Sequence, residues 1–201
     1  MGLENLFRLT GLAAFLAGAA ISIYYRRRAN LQGGRVSSRE ERPWIYAMRS
    51  IGGLFLWLSA LVYFIQPAWI AWASLPFPLW LRGIGAAMGV LSVPLIAWVF
   101  RSLGHNVTPT IVTRREHTLV TSGPYRYVRH PLYTAGMLSF TGIFLLSANV
   151  LILVGLGLTL PFLALRTPYE EARLIERFGD QYRDYMQRTG RYLPRLKKAA
   201  G

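Results

Sequence analysis

LYTAGMLSFTGIFLLSANVLILVGLGLTLPFLAL, residues 132–165, decides the fold, because the whole stretch carries no Asp, Glu, Lys, Arg or His. It divides into two apolar arms, Leu132 to Leu146 and Val150 to Leu165, with only Ser147-Ala148-Asn149 between them. A helix needs roughly 20 apolar residues to cross the hydrocarbon core of a bilayer. Both arms fall short of that, which predicts a tight helical hairpin, tilted or sheltered by other helices. Pro161 sits within the second arm.

Toward the N-terminus, three further apolar segments run from Leu6 to Tyr25, from Ile45 to Ile65 (extending toward Trp72) and from Leu79 to Phe100, with Pro94 as an expected kink. Together they predict an all-α polytopic membrane protein of about five transmembrane helices, with a C-terminal helical hairpin and a cytoplasmic amphipathic tail helix. Residues 1–100 hold the first three helices. Residues 101–201 hold a cytoplasmic loop, the hairpin 132–165 and the tail. Composition agrees: of 201 residues, 53% are hydrophobic and 16% charged, and the mean hydropathy is +0.29. The chain has no cysteine, which excludes disulfides, thiolate metal sites and a cysteine nucleophile. Small residues from Ala17 to Ala20 imitate a signal-peptide cleavage site, but a signal peptide carries its positive charge before the apolar run. Here Arg8 alone precedes it and Arg26-Arg27-Arg28 follows.

The formal charge is +14. In a chain this apolar, the excess points to anionic lipid rather than nucleic acid. Its distribution sets orientation. Of 23 Lys and Arg, 21 lie between spans one and two, between spans three and four, or from Arg166 onward, while Gln66 to Trp80 and the Ser147 turn have none. Positive residues stay cytoplasmic, so five spans place the N-terminus outside and the C-terminus inside. Most of the tryptophans fall near span ends, as interfacial belts do. Arg82, near the outer end of span three, is expected to snorkel.

The loop from Arg101 to Arg129 is too long for a connector, and irregular structure is expected there. His105 and His117 are isolated, with no carboxylate at ligand spacing, so no metal site is expected. The tail from Pro168 to Gln187 repeats apolar residues at three- and four-residue steps, with Gly179 as an interruption. Such a helix lies on the membrane surface or caps the cytoplasmic opening.

Ionisable residues at the ends of membrane helices are costly to place and ask for a reason. They gather at two points. Gly123-Pro-Tyr-Arg-Tyr-Val-Arg-His-Pro-Leu-Tyr133 ends where the fourth span begins, and Glu170-Glu171 follows the fifth. Pro131 suits a first helical position, with His130 as N-cap. Tyr125, Tyr127 and Tyr133 bring ring faces and hydroxyls beside Arg126, Arg129 and His130. The helix start adds N–H donors that favour anions. Two adjacent carboxylates point in different directions on a helix, so one of Glu170 and Glu171 is left for a ligand ammonium and the other for Arg129 or Arg166.

These elements in this order, with Phe178-Gly179-x-x-Tyr182-x-x-Tyr185 behind them, resemble the isoprenylcysteine carboxyl methyltransferase family, which belongs with the phospholipid methyltransferases. The resemblance runs from about His105 to Pro194. It implies a membrane enzyme that uses S-adenosylmethionine to methylate the carboxylate of a prenylated cysteine or a similar lipophilic acceptor. Carried onto matching positions, it implies a cofactor pocket of His117, Leu119, Gly123, Tyr125, Arg129, His130, Pro131, Tyr133, Glu170 and Glu171. Arg166, together with Glu170 and His130, would serve the reaction, Arg166 by meeting the acceptor carboxylate; Pro168, between Arg166 and the glutamates, departs from the pattern. Three other readings remain open from the residues: a phospholipid amine or small thiol as methyl acceptor, a membrane reductase using a nicotinamide cofactor, and a non-enzymatic membrane assembly factor.

Overall fold

In the computed structural model, residues 2–33, 43–104 and 118–195 are described. Six α-helices follow in order: α1 (Leu3–Gly33), α2 (Pro43–Ile65), α3 (Leu79–Leu103), α4 (Pro131–Ser147), α5 (Val150–Phe178) and α6 (Asp180–Arg188). Short 3-10 turns cover Pro67–Ala73 and Gly123–Arg126. Among the described residues there is no strand, only isolated bridges pairing Ser74 with Asn149 and Val128 with Gly190.

By length and composition α1, α3 and α5 can each cross a bilayer, and α2 joined to the Pro67–Ala73 turn makes a fourth span, bent by 116°. The fifth expected span, α4, has 17 residues, about 26 Å of helix at 1.5 Å per residue, just short of the core thickness. Many large apolar side chains face outward, among them Leu54, Leu58, Leu91, Leu153 and Leu158, as helices solvated by lipid require. The chain is an integral membrane protein of all-helical architecture.

The hairpin turn is tight, but its arms part. Ala148 adopts a left-handed conformation (φ 48°). Asn149 caps α5 by accepting from Leu151 N at 3.0 Å and donates to Ile70 O at 2.8 Å, which pins the turn to the 3-10 segment. From there α4 runs along α3 and α5 along α2. Glycines decide these partners. A Cβ at Gly142 would lie 2.8 Å from both Gly85 O and Gly89 N, and one at Gly155 would lie 2.9 Å from Leu56 Cα. Small residues let membrane helices approach to backbone distance, where dispersion replaces the missing hydrophobic drive. The core between them holds Phe15, Leu56, Phe64, Ile143, Leu146 and Ile152.

Sequence periodicity separates the fifth span from a tail helix starting near Pro168. The structure instead shows one helix passing through Pro161 and Pro168 to Phe178. Membrane helices tolerate proline. Pro161 and Pro168 withdraw the N–H partners of Gly157 O and Ala164 O, while the flanking Thr159 and Thr167 hydroxyls donate to Gly155 O (2.8 Å) and Leu163 O (2.7 Å). The apolar run still ends at Leu165, so the rest of α5 projects beyond it. Gly179, at φ 55°, ends α5. α6 turns Tyr182 and Tyr185 inward, where both are buried.

Candidate functional site

Both polar clusters meet at one end of the bundle. The entry is set by Gly123, whose φ of 60° suits glycine and whose Cβ, if present, would collide with the Ser102 hydroxyl. The 3-10 turn over Gly123–Arg126 follows, and Tyr125 O accepts from Tyr185 OH of α6 at 2.6 Å. Residues 127–130 then run beside the tail. Arg129 N donates to Gly190 O at 2.9 Å, His130 N to Arg191 O at 3.0 Å, and Gly190 N to Tyr127 O at 3.3 Å. The tail is thereby stitched across the start of α4. His130 is the N-cap and Pro131 the first helical residue, as the sequence predicts. The His130 ring makes no cap bond. It stacks on Tyr133, with centroids 5.4 Å apart and planes 6° from parallel.

Glu170 and Glu171 diverge on α5. Glu171 is buried and taken up by donors on both oxygens. Its Oε1 accepts from Arg129 Nε at 2.9 Å and lies 3.3 Å from His130 Nε2, while Oε2 accepts from Arg191 Nη2 at 2.7 Å. Arg129 also donates to Met186 O and Thr189 O, at 3.1 and 2.5 Å. Two guanidiniums held against one carboxylate form short, charge-assisted bonds of the strong kind. The bond to Glu171 raises the Arg191 guanidinium above its ordinary value, burial opposing. Glu170 is half-buried. Its Oε2 accepts from Tyr133 OH at 2.7 Å. Arg166 lies one turn before Glu170 and is buried. The Tyr125 phenol is pushed far above its ordinary value, by burial first and then by the Glu170 charge, and stays protonated.

The structure therefore brings together Arg129, His130, Tyr133, Glu170 and Glu171, with Gly123, Tyr125 and Pro131 shaping the approach and Arg166 one turn away. Leu119 is half-buried in the segment leading to Gly123. His117 lies outside the described residues, as do His105 and the stretch 105–117 of the 101–129 loop. Sequence reasoning missed the strap Thr189-Gly190-Arg191-Tyr192. Thr134 Oγ1 donates to Tyr192 O at 2.7 Å, and the Tyr192 hydroxyl meets Thr167 Oγ1 at 2.5 Å, so the strap bridges α4 and α5. Its one signal is an Arg-Tyr pair after a glycine, residue types also found together in 123–127.

The fold and this knot of charges define an integral membrane protein with an ionisable site at one end of its helices. The phospholipid methyltransferase family model matches residues 80–181, and the chain belongs to that family of methyl-transferring enzymes. Among its relatives, protein-S-isoprenylcysteine O-methyltransferase B of Arabidopsis thaliana is 29% identical over 154 residues, covering 74% of this chain and 73% of that one. The Mus musculus protein-S-isoprenylcysteine O-methyltransferase is 34% identical over 131 residues, 64% of this chain and 46% of its own. Methanethiol S-methyltransferase 1 of Bradyrhizobium diazoefficiens is 29% identical over 161 residues, 73% of this chain and 54% of that one. The chain thus spans about half the length of the mouse and bradyrhizobial proteins. A solved structure of the eukaryotic intramembrane Ras methyltransferase ICMT matches with a TM-score of 0.56 at 25% identity, over 92% of this chain and 62% of that one.

Proposed function

We propose that this protein is an S-adenosylmethionine-dependent carboxyl O-methyltransferase acting on a prenylcysteine-like lipophilic substrate, with its site on the cytoplasmic side of five spans, N-terminus outside and C-terminus inside. The observation that carries this reading is the unequal treatment of the two adjacent glutamates. Glu171 is consumed by Arg129, His130 and Arg191, whereas Glu170 is half-buried and accepts from the Tyr133 hydroxyl. A half-buried carboxylate, a stacked His130–Tyr133 face and nearby guanidiniums suit a zwitterionic ligand with an aromatic base.

A bound methyl donor would supply a methyl group activated on a sulfonium, and its passage to a carboxylate is an in-line displacement. Glu170 receives the donor's ammonium. Glu171 acts as a positioning residue, holding Arg129 and His130 in register. Gly123, Tyr125, Pro131 and Tyr133 shape the pocket wall with Leu119, and the family resemblance adds His117 to the cofactor-binding set. Arg166 meets the acceptor carboxylate. That nucleophile is ionised near neutral pH, so no residue need act as base. Alignment alone supplies about 7–11 kcal/mol of barrier reduction. A second reading rests on the similarity to the methanethiol enzyme: a thiol or amine acceptor would need deprotonation, and His130 or Glu170 would have to act as base.

The test offers radiolabelled S-adenosylmethionine to purified protein with a prenylcysteine analogue, extracted phospholipid or methanethiol. Base-labile label on the prenylcysteine analogue is expected. Label on lipid or thiol instead moves the acceptor, and no donor binding removes the methyltransferase reading. Arg166→Lys should raise KM for the acceptor and leave donor binding unchanged. Because the chain has no cysteine, single cysteines placed at exposed Ser74 and Arg188 report sidedness by impermeant labelling. Equal labelling from outside overturns the orientation.

A further inference from the structure

The arms of the hairpin part within the apolar zone and have to be rejoined at the site. Three polar ties do this. Arg129 and His130, at the start of α4, hold Glu171 of α5. The Tyr133 hydroxyl donates to Glu170 at 2.7 Å. The third tie runs through Tyr192 of the strap, which belongs to neither helix. Its carbonyl accepts from Thr134 Oγ1 of α4 at 2.7 Å, and its hydroxyl lies 2.5 Å from Thr167 Oγ1 of α5. Its ring packs against the His130 ring, with centroids 5.9 Å apart and planes inclined by 54°. The strap is itself anchored just before this residue: Arg129 N and His130 N donate to Gly190 O and Arg191 O, and Arg191 bonds Glu171 at 2.7 Å.

The third tie differs from the other two. Thr167 is fully buried, and its hydroxyl donates to Leu163 O at 2.7 Å. A hydroxyl has one hydrogen to give, so Tyr192 is the donor to Thr167, and both members are satisfied without a ligand. The other two ties run through the carboxylates of Glu170 and Glu171, which respond to any charge brought into the site. On the reading above, Glu170 shares its carboxylate with the ammonium of the methyl donor. The Tyr192–Thr167 bond is neutral and uses no group assigned to a ligand. It is nevertheless beside those groups. Thr167 directly follows Arg166 and precedes Glu170 by three residues, so little more than one turn of α5 carries all three.

We propose that Tyr192 is a positioning residue for methyl transfer: its carbonyl on Thr134 and its hydroxyl on Thr167 set the spacing between the α4 half of the site, with His130 and Tyr133, and the α5 half, with Arg166 and Glu170. It touches neither methyl donor nor acceptor. This rests on the methyl-donor reading and extends it to the strap. In-line transfer requires the nucleophile and the methyl group to be aligned, and a misplacement of about 1 Å can cost about 100-fold in rate. Binding through long charged side chains tolerates such a shift, because they can follow the ligand. Loss of the tie therefore acts on kcat before it acts on affinity.

Tyr192→Phe removes the donor to Thr167, keeps the ring on His130 and the bond from Thr134, and leaves Thr167 bonded to Leu163 O. On the detergent-solubilised full chain, S-adenosylmethionine affinity is measured by calorimetry, methyl transfer by steady-state kinetics on the acceptor that the parent methylates, and stability by thermal unfolding. kcat is expected to fall about tenfold, with donor Kd and acceptor KM within about twofold of the parent. Thr167→Val breaks the same bond from the other side and should cost as much. The double variant should cost no more than either single one, because all three lack one and the same bond. Thr167→Ser keeps a hydroxyl and should restore most of the rate lost in Thr167→Val. An unchanged kcat in Tyr192→Phe, losses that multiply in the double variant, a donor affinity that falls as far as kcat, or a Thr167→Ser variant as slow as Thr167→Val overturns the assignment. So does a kcat that only follows the unfolding temperature across the series. A parent protein that binds no S-adenosylmethionine overturns the methyl-donor reading, and this assignment with it.

Discussion

The molecule uses an arginine–glutamate pair at each end of its bundle, to different ends. Away from the site, Arg82 at the start of α3 forks onto Glu4 of α1 at 2.6 and 3.0 Å, donates to Leu146 O at 2.8 Å, and lies over the Phe7 ring at 5.5 Å. The snorkelling expected of Arg82 is thus completed by a tether between α1, α3 and the last turn of α4. The Glu4 side chain is 70% exposed. At the site, Arg129 and Glu171 are 9% and 4% exposed, and each holds further partners. An exposed ion pair contributes about 0–1 kcal/mol, whereas removing one member of a buried pair costs about 3–5 kcal/mol because the survivor is left uncompensated. The chain has put its expensive charges at the site and its cheap ones at the far end.

The contrast breaks most easily at Glu171. Glu171→Gln leaves buried Arg129 and exposed Arg191 against a neutral amide. Methyl transfer should become undetectable and unfolding of the detergent-solubilised protein should come earlier, by about 3–5 kcal/mol, while insertion persists. Turnover at the parent rate would show that the buried pair does not organise the site. Glu170→Gln sharpens the point. The amide can still accept from Tyr133, so the unfolding temperature should hold. Transfer should fall by about 10- to 100-fold, as for one lost charge-assisted contact. A stability loss as large as that of Glu171→Gln would mean that the two glutamates share one structural role.

A change in the apolar middle ranks next. Gly142→Val would drive its side chain into the backbone of Gly85 and Gly89. Overpacking of this kind costs about 1–3 kcal/mol. Thermal unfolding should register it, with donor affinity little changed, if the α3–α4 contact sits apart from the site. A large drop in donor affinity would instead tie that contact to the site's geometry.

How much of this was legible beforehand follows from which forces act locally. The apolar runs, the N-cap and proline at the start of α4, and the pairing of Arg129 with one of two adjacent glutamates are near-neighbour or charge arguments, and the structure realises them. The splaying of the hairpin arms was not legible, because it depends on which distant glycines face each other. Gly85 and Gly155 do mediate close approach, whereas a Cβ at Gly83 or Gly157 would meet nothing within 4 Å, and spacing alone does not separate these cases. The continuation of α5 through Pro168 was hidden because local propensity counts proline as a stop, whereas helices packed in a membrane tolerate it. Arg191 and Tyr192 escaped notice because an extended strap has no periodicity; only its backbone pairing with residues 127–130 brings it to the site.

Glu4→Gln should have the smallest effect. It weakens the fork on Arg82 but leaves the bond to Leu146 O and the contact with Phe7, and Gln can still accept from the guanidinium. Since Glu4 is mostly in solvent, the lost attraction is screened by salt. The change in unfolding free energy should stay within about 1 kcal/mol, diminish further at high ionic strength, and leave methyl transfer at the parent rate. A loss that persists in high salt would mean that Arg82 is held in a low-dielectric setting like that of Arg129. The two ends of the bundle would then differ in what they bind and not in how they are stabilised.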